Sequence, residues 1–277
     1  MYPAVLALTP NSLAADVRTQ LFDLLPHATI CNCSNLIRLI RMVKSEAEIG
    51  RMRGALEIAE VAAKTAFTGA VVGQPLDLIT QAFHESVTRQ GGRFEHMAYG
   101  PRGIGMIERS CEALRADDCF YADFGTVLDD YLSDTGFTFA ARPLSGAMLE
   151  KYYALRDAVV ETAAQMRPGV KASAVAKIFK DYCRKHRMTE IFPHGHGIGL
   201  ELRDYPILVP DTGLSITDDC IDVPADLPLE TGMVLNLEAP LFMPPEASLH
   251  VEQSFLITEN DAVPLVEQDR IKPVVPA

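Results

Sequence analysis

The sequence has no apolar run that approaches the roughly 20 residues needed to cross a bilayer. Residues 1–8 carry no basic segment and only a brief apolar stretch, so we expect no signal peptide. Positive charge is scarce, because 25 Lys and Arg stand against 37 Asp and Glu and give a net charge of −12. These absences argue against nucleic acid and membranes as partners.

Cysteine is also sparse, with six residues and no dense framework. Cys31 and Cys33 are too close for an ordinary disulfide or metal knuckle, so we expect reduced thiols and a cytoplasmic protein. The chain has 277 residues, of which 48% are hydrophobic and 22% are charged. Such a composition is typical of a soluble globular protein with one large core or two small ones.

Five potential metal ligands lie along the chain in segments that have the character of strands or strand ends: Asp123, Asp134, His196, Glu238 and Glu252. Four carboxylates and an imidazole are too many charges to bury unless cations pair with them. An oxygen-rich set with one nitrogen suits two divalent ions such as Mn²⁺ better than a single structural zinc. Two metal ions that activate a water are typical of a hydrolase.

The first two ligands are eleven residues apart, which would place them on opposite faces of one flat strand. Asp129 and Asp130 between them indicate a hairpin turn, so the sequence predicts that Asp123 and Asp134 meet across paired strands. His196 lies in the glycine-spaced segment 194–201, where the backbone can approach a ligand closely. Glu238 ends a predicted strand, and Glu252 lies in a short alternating strand over 248–252.

In this order, the motifs resemble those of the metallopeptidase family that includes methionine aminopeptidase, Xaa-Pro aminopeptidase and prolidase. The matching patterns are Asp-x-Gly, Tyr-x-x-Asp-Thr, Gly-His-Gly-Ile-Gly-Leu-Glu, Gly-Met-Val-x-x-x-Glu-x-Pro and Val-Glu, within residues 36–260. The resemblance implies an α+β chain with the pita-bread fold, in which two pseudo-symmetric helix–strand halves surround a central dinuclear metal site.

The resemblance also implies a role for each ligand. Asp123 would chelate one ion, and Asp134 and Glu252 would bridge both ions. His196 and Glu238 would complete the coordination of the second ion. Glu238 would also carry a proton from the water between the ions to the leaving nitrogen. Mn²⁺ is the expected metal, and Co²⁺, Fe²⁺ or Zn²⁺ are alternatives.

Apolar spacing predicts helices over 44–67, 76–90, 148–165 and 172–186, and strands over about 94–108 and 119–141. Ser45 and Glu48 form a candidate capping box at the start of the first helix. Helix, break, helix and strand occur twice, and Gly73 aligns with Gly169 at an offset of 96 residues. The repetition favours two related halves.

Residues 1–43 precede the catalytic domain, which we assign to 44–277. We expect one helix over 14–25 and one or two strands, too little for an independent core. We interpret this segment as the end of an N-terminal domain that packs on the catalytic domain or at a contact in a homodimer; a mobile arm is the alternative.

The substrate side departs from the family pattern. Met106 and Arg203 occupy positions where the relatives usually place histidines that contact substrate. Asp134-Thr135-Gly136 replaces the usual Asp-x-Thr-Arg, and His250 stands where arginine is common. Arg203 would bind a substrate carboxylate or oxyanion, or else pair with Asp204 or Glu201 at the surface.

His194 is a candidate proton donor or substrate contact. His250 has a substrate role or a packing role, and His96 is a further candidate to reach the site from another strand.

The sequence leaves three candidate functions. The first is a dinuclear peptidase acting on Xaa-Pro peptides, and the second is a hydrolase of a non-peptide C–N bond in a small carboxylated amide, like ectoine hydrolase. The third, a module without metal, fits poorly because all five ligands are present.

Overall fold

The computed structural model describes residues 5–9, 13–103, 107–108, 110–188, 191–268, 270 and 273–276. The α-helices in these ranges are α1 (Ala15–Leu24), α2 (Ser34–Met42), α3 (Glu46–Thr68), α4 (Asp77–Arg89), α5 (Gly146–Ala163) and α6 (Ala172–Lys185). The strands are β1 (Val5–Leu8), β2 (Thr29–Asn32), β3 (Arg93–Tyr99), β4 (Cys119–Leu128), β5 (Tyr131–Leu132), β6 (Thr135–Ala140), β7 (His194–Gly197), β8 (Asp204–Ile207), β9 (Ser215–Ile216), β10 (Val223–Pro224), β11 (Val234–Glu238), β12 (Leu241–Met243), β13 (Ala247–Leu249), β14 (Glu252–Ile257) and β15 (Ala262–Pro264).

One antiparallel sheet combines strands from both halves of the chain. Within the described ranges it has nine strands in the order β3-β4-β6-β14-β11-β7-β8, with β5 paired to β4 and β15 paired to β14. The two halves join where β6 pairs with β14, at Gly136 and Glu252. One of the expected metal ligands, Glu252, therefore lies where the two halves join.

The helices cover one face of this sheet and leave the other for the site. Helices α3 and α4 pack with β3, β4 and β6 in one apolar core, and α5 and α6 pack with β11 and β14 in a second. In β4, Phe124 belongs to the first core, so strand alternation directs Asp123 to the opposite face. In β11, Leu237 belongs to the second core, so its neighbour Glu238 is directed to the opposite face in the same way. No helix among the described residues combines the length and apolarity needed to span a bilayer.

The expected repeat appears as matched backbone contacts in the two halves. The Gly73 N–H donates to the Leu114 carbonyl at 2.8 Å, and the Gly169 N–H donates to the Leu229 carbonyl at 2.8 Å. Both glycines have left-handed φ angles, +95° and +88° respectively. Because a left-handed turn of this kind favours glycine, the sequence alignment of the two positions has a direct structural cause.

Most of the predicted elements are confirmed, and one that differs is the strand beside the site. Ser45 and Glu48 form the capping box at the start of α3. Asp129 and Asp130 both have positive φ, as a two-residue hairpin turn requires. The strand predicted over 94–108 was wrong in length, since β3 ends at Tyr99 and a 3₁₀ turn over Pro101–Gly103 follows. The left-handed φ of +57° at Arg102 interrupts the extended chain there.

The N-terminal segment contains α1 close to its predicted bounds, and also α2, which we did not anticipate. Helix α2 contacts the chain around β8 through ion pairs from Arg41 to Glu201, at 2.9 Å, and to Asp204, at 2.8 Å. The Asn35 side chain donates to the backbone carbonyls of Ile216 and Ile221. Residues 35–41 are therefore held to the rest of the chain by polar side-chain contacts.

Candidate metal centre

The pairing of the strands brings the expected ligands together on the face of the sheet opposite the helices. Glu238 at the end of β11 stands directly opposite Glu252 at the start of β14. Asp123 and Glu252 each pair with Gly136, so one glycine separates them across the sheet. Asp134 lies one residue before β6, and His196 lies in β7 beside β11. All five thus occupy the centre of the sheet.

The ligand atoms lie close enough to one another to share bound cations. His196 Nε2 lies 3.4 Å from Asp134 Oδ2 and 3.5 Å from Glu238 Oε1. Ligand atoms form two overlapping groups, each with all atoms within 4.8 Å of one another, and Asp123 belongs to both. One group adds Glu238, His250 and Glu252, and the other adds His96 and Asp134. Two groups that share a carboxylate fit two adjacent cations.

Burial makes these carboxylates mutually unfavourable without cations. The Glu252 side chain has an exposed fraction of 0%, and the carboxylates of Asp134, Asp123 and Glu238 lie around it. Burial, together with these three charges, raises the pKa of Glu252 well above its ordinary value. Burial likewise raises the pKa of Asp123. In the metal-free protein the cluster therefore holds protons that a bound cation would replace.

The histidines compensate the other two carboxylates. Burial alone would lower the pKa of His196, but its contacts with Asp134 and Glu238 raise that pKa to about 9. Burial opposes ionisation of Asp134, yet the neighbouring His196 and His96 outweigh it and lower the pKa of Asp134. His194 and His196 similarly overcome burial and lower the pKa of Glu238 to about 2.

The orientation of His196 tests whether the donor set fits a metal. Its Nδ1 donates to the Gly197 carbonyl at 2.9 Å, so Nε2 is the nitrogen that can give up its proton and bind a cation. That buried Nε2 has no hydrogen-bond partner of ordinary geometry among the residues described, although two carboxylates face it. A backbone acceptor on one ring nitrogen is the usual way in which a protein orients a ligating imidazole. The residues therefore fit divalent cations.

Two departures from the family pattern contact each other. His250 is buried between β13 and β14, and its Nε2 lies 2.9 Å from Glu252 Oε2. A Cβ atom at position 136 would lie 2.6 Å from both His250 Nε2 and Glu252 Oε2. Gly136 thus provides the space that the His250 ring occupies. The predicted strand over 248–252 was wrong, because β13 ends before His250 and pairs with β12 in a separate sheet.

The remaining predicted residues border a small cavity beside the carboxylates. His194 Nε2 lies 2.5 Å from Glu238 Oε1, and Arg203 Nη2 lies 3.5 Å from the same oxygen. Arg203 also lies 3.3 Å from His194 Nε2. The alternative partners proposed for it, Glu201 and Asp204, pair with Arg41 instead. Met106 lies outside the described residues.

The structure adds partners that sequence reasoning missed. The Asn236 side chain donates to Glu252 Oε1, and Ser254 donates to Asn236 Oδ1 at 3.1 Å. Asn236 lies two residues before Glu238 in β11, so strand alternation was a signal that could have identified it. The carboxylate of Glu95 contacts His96, and no pattern in the sequence pointed to that pair.

We predict that Gly136→Ala weakens metal binding and destabilises the protein by about 1–3 kcal/mol, because the new methyl group must displace His250 or Glu252. Gly50→Ala is the matched control, since a Cβ at that exposed position of α3 meets no atom within 4 Å. Urea denaturation and calorimetric Mn²⁺ titration measure the two effects. Unchanged metal affinity in Gly136→Ala would contradict the packing argument.

We also predict that Mn²⁺ binding releases protons and strengthens by about tenfold per pH unit for each proton displaced. The pKa of His196 is raised to about 9 in the metal-free protein, so its proton competes with the metal at lower pH. The same proton stabilises the metal-free fold at low pH, and that contribution is lost as the pH rises toward about 9. Calorimetry in buffers of different ionisation enthalpy from about pH 6.5 to 8.5 counts the protons; pH-independent binding would contradict the assignment.

The family model of metallopeptidase family M24 matches residues 50–259. The chain is 26% identical to the Xaa-Pro dipeptidase of Lactobacillus helveticus over 268 residues, which cover 91% of this chain and 67% of that protein. It is 24% identical to the Xaa-Pro dipeptidase of Pyrococcus furiosus, with 85% of this chain and 66% of that protein covered. The chain therefore spans about two thirds of the length of these curated relatives.

Solved structures share the fold. The X-Pro aminopeptidase of Thermotoga maritima aligns with a TM-score of 0.84 at 18% identity, covering 98% of this chain and 74% of that chain. The prolidase of Pyrococcus horikoshii aligns with a TM-score of 0.83 at 22% identity, covering 96% and 75%. The pita-bread architecture expected from the motifs is confirmed. With a family model matched over most of its length and the ligand motifs gathered in one site, this chain belongs to metallopeptidase family M24.

Proposed function

We propose that the protein is a dinuclear metal-dependent peptidase that hydrolyses short Xaa-Pro peptides. The observation that carries this proposal is a cavity of 250 Å³ that adjoins the metal ligands Asp123 and Glu238. The apolar part of its lining is formed by Tyr121, Phe192, Pro240 and Phe242. A small apolar cavity next to charged groups suits a compact pyrrolidine ring adjacent to the bond that is cleaved.

The ligand assignments from the sequence remain part of this proposal. Asp123, Asp134, His196, Glu238 and Glu252 would hold two divalent cations, and Mn²⁺ is the metal that we expect for so oxygen-rich a set. When bound, such cations polarise the scissile carbonyl and lower the pKa of a water molecule. We retain Asp134 and Glu252 as the bridging carboxylates, since Asp134 lies between His196 and His96 and the other three carboxylates surround Glu252.

Glu238 is the residue that we assign to proton transfer. Its Oε1 borders the cavity and lies 2.5 Å from His194 Nε2. The His194 ring is in turn held by a 2.7 Å contact between Nδ1 and the Phe192 carbonyl. Glu238 can therefore accept a proton from water and pass it to the leaving nitrogen. His194 stabilises the negative charge of the Glu238 carboxylate.

Arg203 is the residue that we assign to substrate binding. Its side chain is 61% exposed at the edge of the cavity, and the shortest ion-pair distance to its guanidinium is 3.5 Å, from Glu238. A guanidinium with unused donors at this place suits the free carboxylate of a dipeptide. His250 also lines the cavity and contacts Glu252, so we assign it to holding that ligand and shaping the cavity.

We include two further expectations in the proposal. A homodimer is the commonest assembly among soluble homo-oligomers, and reduced cysteines agree with a cytoplasmic enzyme. We also retain residues 1–43 as the end of an N-terminal domain that precedes a catalytic domain over 44–277. The ion pairs of Arg41 with Glu201 and Asp204 support packing of this segment against that domain.

The test is hydrolysis of Xaa-Pro dipeptides, of the matching Xaa-Ala dipeptides and of longer Xaa-Pro peptides by Mn²⁺-loaded protein, with Asp134→Ala as the blank. We expect turnover of Xaa-Pro substrates that the blank lacks. No turnover, with two metal ions bound, would reject the peptidase proposal and favour a non-peptide amide as substrate.

Arg203→Ala sharpens the same test. We expect a KM for a free dipeptide that is about 10- to 100-fold higher, because an ionic hydrogen bond is lost, with little change for the dipeptide amide. Arg184→Ala, an exposed arginine on α6, is the control. Equal KM changes for the acid and the amide would show that Arg203 does not bind the carboxylate.

A further inference from the structure

A β-bulge turns His96 toward the metal centre. Phe94 of β3 pairs with Thr126, but His96 pairs with Gly125, so Glu95 is the extra residue in the strand. Phe94 packs against the helix-side core, and Met97 lies within it. In a regular strand, His96 would share the face of Phe94. The bulge instead places His96 on the face that carries Asp123, which is a common use of bulges near active sites.

Both ring nitrogens of His96 contact carboxylate oxygens. Nδ1 contacts the Glu95 carboxylate, and Nε2 lies 2.9 Å from Asp123 Oδ1 and 3.5 Å from Asp134 Oδ1. An imidazole that donates Nδ1–H to Glu95 presents the lone pair of Nε2 to two carboxylate oxygens. Such an approach is repulsive unless a proton or a cation lies between them.

A cation satisfies this arrangement better than a proton does. A proton on Nε2 can be shared with one oxygen at a time, whereas Asp123 and Asp134 both face the nitrogen. A carboxylate on Nδ1, here that of Glu95, leaves Nε2 of the imidazole to bind a metal. Proteins commonly orient a ligating histidine in this way. The His96 side chain is 18% exposed, so it is also shielded from competition by water.

We propose that His96 is a sixth protein ligand of the metal centre and binds, through Nε2, the cation held by Asp123 and Asp134. Glu95 is then a positioning residue that fixes the ring through Nδ1. This assignment rests on the proposed dinuclear function, and it gives each of the two ions one imidazole. It also explains the bulge in β3, because a regular strand would turn His96 away and leave this ion with oxygen ligands alone.

The test is pulsed electron paramagnetic resonance on protein loaded with one equivalent of Mn²⁺, which detects the nitrogen nuclei of bound imidazoles. In His196→Ala we expect imidazole coupling to remain, and in His96→Ala/His196→Ala we expect it to disappear. Glu95→Gln should keep the coupling but weaken Mn²⁺ affinity by about 10- to 100-fold. His27→Ala, an exposed histidine, is the control, and circular dichroism verifies folding.

Loss of coupling in His196→Ala with Mn²⁺ still bound, or its persistence in the double variant, would overturn the assignment. If His196→Ala binds no Mn²⁺, a crystal structure of the Mn²⁺-loaded wild type decides, since His96 Nε2 must be within bonding distance of a cation. Two bound ions and peptide turnover without His96 ligation would reject this inference alone. A wild type that binds no metal would reject the proposed function as well.

Discussion

The structure depends on one electrostatic constraint, which is that four carboxylates meet on one face of a sheet with little access to water. Glu252, Asp134 and Glu238 have side chains exposed by 0%, 7% and 6% respectively. Without cations, such a cluster must retain protons or be paired with imidazolium groups, and the raised pKa values of Glu252 and His196 express this requirement. Divalent cations meet the same requirement and leave the carboxylates ionised for chemistry.

The two-fold repetition of the chain explains how distant residues come to share this site. Each half supplies a helix pair on one face of the sheet and ligands on the other, and the halves join at Gly136 and Glu252. Because the proposed ligands lie on paired strands or next to one, their spacing follows from sheet geometry and not from flexible loops. Arg203, which we propose to bind substrate, lies instead outside the regular strands and is exposed.

The gathering of the five candidate ligands and the helices other than α2 could be predicted because each carries a local signal. The capping box at Ser45, the paired turn residues Asp129 and Asp130, and the strand-end acids all depend on near neighbours in the chain. The bulge at Glu95 and the turn at Arg102 could not be predicted, since they depend on pairing with β4 and on backbone angles set by distant contacts. The contact of Gly136 with His250 likewise joins residues more than a hundred positions apart.

The central claim is that this cluster holds two divalent cations, and the most direct measurement is the metal content per chain. Protein reconstituted with Mn²⁺ and freed of excess metal by gel filtration is analysed for its elements, beside Asp134→Ala treated identically. The account predicts two ions in the wild type and fewer than two in a folded Asp134→Ala, because the carboxylate expected to bridge them is gone. A wild type with one ion or none, or an Asp134→Ala variant that retains two, would contradict it.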